Sequence, residues 1–292
     1  MFKMSPHLYG TLLTALGVLV LTPDGLIIRL IQTDAWTILF WRGIFFAAGI
    51  LGFYFIRFRL QTVNLIRQMG WRGWQAAILF ASSTIFFVNA IQTTSVANVL
   101  VIIATAPLFS ALISRIFLKE KVSTSTWIAI LISCGGIGMI FVGSLTGGNR
   151  LGDFFALASA ISIASQITTV RQSKHIDMVP SLGLSGILFA LFALPFASPL
   201  SVSSTDFSYL LILGFVILPI AFGLITIGPR YISAAEVSLL MLLETFLGPI
   251  WVWLVIGEGA ETETIFGGAL VLVTLMVHVL YNARAKRKNA VS

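Results

Sequence analysis

The sequence predicts an all-α polytopic membrane protein, ten transmembrane helices arranged as two inverted five-helix repeats. Composition is the first reason. Hydrophobic residues make up 58% of the chain and charged residues 10%, with a mean hydropathy of +0.99. Soluble domains carry about 25% charged residues, so 292 residues of this kind cannot cover themselves with a water-facing surface. Recurrent apolar runs of about 20 residues are the second reason: that length crosses the hydrocarbon core as a helix, whereas barrel strands are about half as long. The third is an internal repeat. A shift of 138 positions lays Ser95 on Ser233, Ala97 on Ala235, Val99 on Val237, Glu120 on Glu258, Thr124 on Thr262 and Thr126 on Thr264. Two homologous halves follow, residues 1–146 and 147–292, joined near Gly147–Arg150.

Taken in order, the spans are expected at 8–31, 35–56, 74–92, 97–118, 124–143, 151–171, 181–198, 207–228, 234–256 and 264–282. The first follows Lys3 as a signal peptide would. However, Thr22-Pro23-Asp24 stands where a small-x-small cleavage site belongs and hydrophobicity resumes at Leu26, so it reads as a retained helix. Short connections make neighbours antiparallel.

The basic residues then set the orientation. Lys3, Arg57, Arg59, Arg67, Arg72, Arg115, Lys119, Lys121, Arg171, Lys174, Arg230, Arg284, Lys286, Arg287 and Lys288 share one set of ends. That is 15 of the 18 Lys and Arg, leaving Arg29, Arg42 and Arg150, while the opposite ends carry Asp34, Asp206, Glu258, Glu261 and Glu263. The positive-inside rule puts both termini in the cytoplasm, and the net charge of +7 is thereby topology rather than the mark of a nucleic-acid partner. An odd number of spans per half turns the second half upside down, so Glu120 and Glu258 lie on opposite faces. Inverted repeats about a midplane site are a transporter architecture, because exchanging the conformations of the halves exchanges inward and outward opening. Duplication for assembly alone is the plainer alternative.

Polar residues inside the spans point to a cavity. Thr22-Pro23-Asp24-Gly25 interrupts the first span; proline removes a helical hydrogen bond, and the freed carbonyls need partners away from lipid. A lipid-facing Asp24 would cost about 2.5–3.5 kcal/mol on insertion scales, so it faces inward. Asp24 lies nine residues before Thr33 and Arg42 nine after it, which at about 1.5 Å per residue brings them to one depth. Their pairing reads either as a lock on the hairpin or as part of the substrate path.

The third span aligns Ser82, Phe86, Asn89 and Thr93, the fourth Asn98, Ile102, Thr105 and Phe109 beside Pro107, and the sixth Ser159, Ser162, Gln166 and Thr169. The hydroxyls among them also serve helix packing, whereas Asn89 and Gln166 favour a cavity. Near the middle of the ninth span, Glu244 shares a face with Met241, Gly248 and Trp251. A central carboxylate points to function, as a proton carrier or as the partner of a substrate ammonium, with a protonated structural glutamate as the alternative. Gly135-Gly136-Ile137-Gly138 and Gly267-Gly268 suit close helix packing rather than a phosphate loop. Trp36, Trp41, Trp71 and Trp74 fall at span ends as interfacial anchors. The single cysteine, Cys134, excludes a disulfide framework or a cysteine metal site.

These features together, with Ser95-x-Ala97, Pro107 and Leu118-Lys119-Glu120-Lys121 in one half and Ser233-Ala234-Ala235 and Gly257-Glu258 in the other, resemble the EamA family of the drug/metabolite transporter superfamily. Arg42 early in the second span matches as well. The chain departs at Thr245, where the second half lacks the proline equivalent to Pro107 and has Pro249 instead. Within the family it is most similar to YddG-type exporters of aromatic amino acids. The resemblance implies a bacterial inner-membrane exporter whose cavity is lined by helices 1–4 and 6–9, with helices 5 and 10 peripheral.

A zwitterion needs a donor for its carboxylate and an acceptor for its ammonium, which half-helix ends beside Pro23 or Pro107 supply. Phe86, Phe109 and Trp251 offer aromatic contact. The expected function is therefore secondary transport of small metabolites, aromatic or other neutral amino acids first, by alternating access. A carrier of drugs, nucleotide-sugars or other organic anions is the alternative on the same fold, but only Arg42 lies deep enough to serve an anion. A membrane-embedded enzyme is remote, since His7, His175 and His278 sit at span edges and no His/Asp constellation converges. No cofactor or metal is expected. The expected partners are a small-molecule substrate and the lipid bilayer, with the chain a monomer or a weak homodimer.

Overall fold

The computed structural model describes residues 5–94, 96–119, 123–144 and 150–257, together with 266, 269, 270, 273, 274, 277 and 281. Among these every regular element is helical. In order they are α1 (Pro6–Leu21), α2 (Asp24–Leu30), α3 (Ala35–Phe58), α4 (Gln61–Gln68), α5 (Gly70–Thr93), α6 (Val96–Ile103) and α7 (Ala106–Ile113). There follow α8 (Thr124–Ser144), α9 (Arg150–Gln172), α10 (Pro180–Ala193), α11 (Ser204–Leu211), α12 (Leu218–Ile227) and α13 (Ala234–Ile256). Single π-helical turns extend α7 over Ser114–Leu118 and join α11 to α12 over Ile212–Ile217.

Six stretches among the described residues are long and apolar enough to cross a membrane: Pro6–Leu30, Ala35–Phe58, Gly70–Thr93, Arg150–Gln172, Ser204–Arg230 and Ala234–Ile256. Ala106–Leu118, Thr124–Gly136 and Pro180–Ala193 are shorter apolar helices. The expected fourth span is divided, and the seventh ends early in turns after Ala193. The expected tenth span, apart from its isolated positions, lies outside the described residues, as do Glu120, Glu258 and the join at 145–149.

Local chemistry explains the breaks. Pro23 has no N–H to donate, so α1 stops at Leu21 and α2 restarts at Asp24, while the Thr22 hydroxyl donates back to the Leu19 carbonyl at 2.9 Å. The fourth span breaks at Ala104-Thr105 ahead of Pro107, where the Thr105 hydroxyl donates to the Ile102 carbonyl at 2.6 Å. Pro249 sits inside an unbroken α13. Ser233 and Glu236 open α13 with a reciprocal capping box.

Asp34 caps α3, accepting from the Trp36 and Thr37 amides at 3.0 Å and from the Thr37 hydroxyl at 2.6 Å. Partial burial works to raise its carboxyl, but the bonds from Thr37 and Trp36 outweigh it and hold the group below the usual carboxylate value.

Polar contacts define two ends of the bundle. At one, the backbone N–H of Gln32 donates to Asp206 at 3.1 Å, the backbone N–H of Ser198 to the Thr37 hydroxyl at 2.8 Å, and Trp41 Nε1 to the Pro199 carbonyl at 3.1 Å. At the other, His7 Nε2 lies 2.9 Å from Glu236, Arg230 donates to Asp177 at 2.9 Å, Tyr54 donates to Asp177 at 2.5 Å, and Arg72 bonds Gln172. The first is an acidic end and the second a basic one.

The helices thread between these ends in consistent registers. Antiparallel α5 and α9 meet at Arg72–Gln172, at Ser83–Ser159, and where Gly152 backs onto Thr93 and Thr94. Antiparallel α1 and α12 meet where Gly17 backs onto Ala221, and Gly10 backs onto Tyr231 in the turn that follows α12. α3 crosses α10 backbone to backbone: a Cβ added at Gly43 would stand 2.6 Å from the Gly186 carbonyl, so only small residues permit this approach. α1 and α13 run parallel, tied by His7–Glu236 near one end and by Trp251 Nε1 donating to the Thr22 hydroxyl at 2.9 Å near the other.

Candidate functional site

The helices leave a cavity of ≈ 50 Å³ inside the bundle. Its polar lining is Asp24 on α2, Arg42 on α3, Ser83 and Thr84 on α5, Ser159 on α9 and Glu244 on α13. Its apolar lining is Leu21, Phe80, Phe87, Leu100, Ile103, Ile163, Phe222 and Met241. A water molecule needs about 10–15 Å³ by this kind of measure. The space as it stands admits a few water-sized molecules, and anything larger enters only as the helices move apart.

The strongest interaction in the lining is bidentate. Arg42 donates from Nη1 to Asp24 Oδ1 at 2.5 Å and from Nη2 to Oδ2 at 2.7 Å, the fork geometry that guanidinium and carboxylate favour. Arg42 is 2% exposed and Asp24 1%. The pair joins α3 to the helix that restarts after Pro23, and the guanidinium also sits 6.0 Å from the Phe87 ring centroid. Arg42 Nε is buried and has no hydrogen-bond partner among the described residues. Glu244 is 9% exposed. The lining thus combines two carboxylates with one guanidinium. Ser83 and Ser159 satisfy each other, their hydroxyls 3.0 Å apart and each also reaching the other's backbone carbonyl.

Toward the basic end the cavity rests on an aromatic cluster. Phe80 and Phe222 pack edge to face with centroids 4.7 Å apart, and Phe46 lies 5.7 Å from Phe80 and 6.2 Å from Phe222. Phe189 closes the group at 6.5 Å from Phe46. Such pairs contribute about 0.5–1.5 kcal/mol each beyond burial.

Of the residues singled out from sequence, Asp24, Arg42 and Glu244 line the cavity together, with Ser159 and Met241 from the named stripes beside them. The remaining candidates lie elsewhere. Ser82 is half-buried beside the lining, and Phe86 stacks on Phe155 at 6.1 Å. The Asn89 side chain donates to the Ile85 carbonyl of its own helix at 2.8 Å. Thr105 and Pro107 shape the break between α6 and α7, Phe109 is half-buried against the core, and Trp251 ties α13 to Thr22. Ser162 is half-buried and Gln166 buried, both off the cavity wall.

The lining of α5 is instead Phe80, Ser83, Thr84 and Phe87, one residue round the helix from the Ser82 stripe. Its spacing of three, four and seven is the available sequence signal. Among the described residues no three His, Cys, Asp or Glu side chains are placed to hold a metal ion.

The chain matches the EamA-like transporter family over residues 8–142 and 150–280. It belongs to that family. The family and the apolar helices together mark a multi-pass membrane protein of a transporter family. It is 28% identical over 196 residues to YdfC of Bacillus subtilis (strain 168), described as an uncharacterized transporter, a match spanning 61% of each chain. A solved crystal structure superposes with a TM-score of 0.77 over 94% of this chain and 98% of the other at 16% identity, a likeness of fold.

Proposed function

We propose that this EamA-family protein exports small metabolites across a bacterial inner membrane by alternating access, with aromatic or other neutral amino acids as its first substrate class. The observation that carries the reading is the buried charged cavity, to which Asp24 and Arg42 come from one half of the chain and Glu244 from the other. Phe80, Phe87 and Phe222 give it rings for an aromatic side chain, each contact contributing about 0.5–1.5 kcal/mol. The YddG-type resemblance favours the same class.

The working form has ten spans in two inverted halves, 1–146 and 147–292. The packing supports this, because exchanging the halves turns the α5–α9 contact into the α12–α1 contact and leaves α3–α10 paired with itself. The two family matches, 8–142 and 150–280, fall on either side of the division. In this reading the basic end and both termini face the cytoplasm. A cavity lined from one chain favours a monomer as the transport unit, with a weak homodimer as the alternative.

The experiment is uptake of labelled phenylalanine and tryptophan into liposomes carrying the purified protein. Saturable uptake stimulated by the same amino acid on the far side is the expected result. No uptake of any neutral amino acid by protein shown to be folded rejects the substrate class, and unsaturable flux rejects alternating access.

A further inference from the structure

Asp24 commits both carboxylate oxygens to Arg42, and Arg42 commits both terminal nitrogens to Asp24. That pair is internally neutral. Glu244 is left over. Its carboxyl is nine-tenths buried, lines the same cavity, and makes no hydrogen bond or ion pair with any described residue. Arg42 is the one cation among the described lining residues. An anion withdrawn from water without a partner is strongly disfavoured unless it takes up a proton or a cation. The walls around Glu244 are apolar, with Met241 on its own helix and Leu100 opposite. With Glu244 ionised the site is short of one positive charge, which either a proton or a cationic group of the substrate supplies. For an anionic group it offers the Nε–H and the second N–H on each terminal nitrogen of Arg42, all on a guanidinium whose charge Asp24 already balances.

We propose that Glu244 binds the ammonium group of the transported molecule, so that the cavity recognises a single positive charge beside an apolar body and not a carboxylate. The inference rests on the cavity being the transport site. It narrows the substrate class: molecules with the amine and no acid qualify, and molecules with the acid and no amine do not. The Asp24–Arg42 pair then serves as a positioning element that shapes one wall without competing for the amine.

The test uses the full-length protein and four unlabelled probes: phenylalanine, phenylalanine amide, phenethylamine and 3-phenylpropionate. Each is measured for binding to the detergent-solubilised protein by calorimetry and for competition with labelled phenylalanine uptake in liposomes. The three ammonium-bearing probes are expected to bind within about tenfold of one another. 3-Phenylpropionate is expected to bind about tenfold to a hundredfold more weakly, the loss of one charge-assisted hydrogen bond. Glu244→Gln should level that difference and Glu244→Asp should keep it, while the wild-type comparison stands even if a variant fails to fold.

The inference is overturned if 3-phenylpropionate binds as well as phenethylamine, if Glu244→Gln discriminates like the wild type, or if no amine binds. If phenethylamine binds by calorimetry more tightly than 3-phenylpropionate but labelled phenylalanine is not taken up, the amino acid assignment fails and this inference holds. If phenylalanine is carried while 3-phenylpropionate competes equally, the inference fails and the assignment holds.

Discussion

Removing Arg42 should destabilise the bundle more than removing Asp24, although the two share the same pair of hydrogen bonds. Both side chains are almost fully enclosed, at 2% and 1% exposure, and bonded at 2.5 and 2.7 Å. Breaking one partner of such a pair costs about 3–5 kcal/mol, because the survivor is left buried and uncompensated. The survivors differ here. Arg42→Met leaves Asp24 and Glu244 in one cavity with no cation among the described lining residues, whereas Asp24→Asn leaves Arg42 with Glu244 still in the lining. We expect Asp24→Asn near the lower figure and Arg42→Met at the upper one or beyond, a gap of about 1–2 kcal/mol. The double variant Asp24→Asn/Arg42→Met should recover most of the loss, since neutral replacement of a whole buried pair is often tolerated. Denaturant titration in detergent micelles, followed by helical circular dichroism, measures all three. An Arg42→Met protein as stable as Asp24→Asn, or a double variant no better than Arg42→Met, would refute the reasoning.

Two further outcomes are expected from the same assay. Gly43→Leu should cost about 1–3 kcal/mol or more through overpacking, because its Cβ would press on the Gly186 carbonyl and the Ala190 methyl, while Gly52→Leu on the same helix, with nothing within 4 Å, should be close to neutral. Asp34→Ala should cost about 1 kcal/mol at neutral pH by loss of the α3 cap. Because the folded carboxyl sits below its ordinary value, the wild-type advantage is complete above the unfolded carboxylate value of about 3.9 and disappears as the pH falls through the lower folded one. A gap between wild type and Asp34→Ala that widened in acid would contradict this.

How much the sequence disclosed depends on which geometric variable is asked for. Depth was legible. Asp24 and Arg42 stand equally far from Thr33, and a fixed rise per residue is enough to bring them level; Glu244 is central for the same reason. Rotation about a helix axis was not legible. The third span offers two polar stripes one residue apart, Ser82-Phe86-Asn89 and Phe80-Ser83-Thr84-Phe87, and only the second lines the cavity. Polar side chains in lipid satisfy themselves on their own helix, as Asn89 does on Ile85 and Thr93 on Asn89, so a polar stripe does not reveal where the cavity lies. Chain breaks were legible in kind, since Pro23 and Pro107 both interrupt helices, but the second break falls at Ala104-Thr105 ahead of the proline. Pairings such as Ser83 with Ser159 depend on which helices become neighbours, which no single span encodes.

The interruption at Pro23 places Asp24 at the fulcrum of a short lever. Trp251 pins Thr22 on one side of the break, Arg42 clamps Asp24 on the other, and the arm α2 extends six residues on to Leu30, about 9 Å at helical rise. A swing of about 20° at such a kink would carry the tip some 3 Å while Asp24, at the pivot, barely shifts. Any opening at the acidic end that moved this tip would have to break the Gln32–Asp206 bond while leaving the Asp24–Arg42 pair in place.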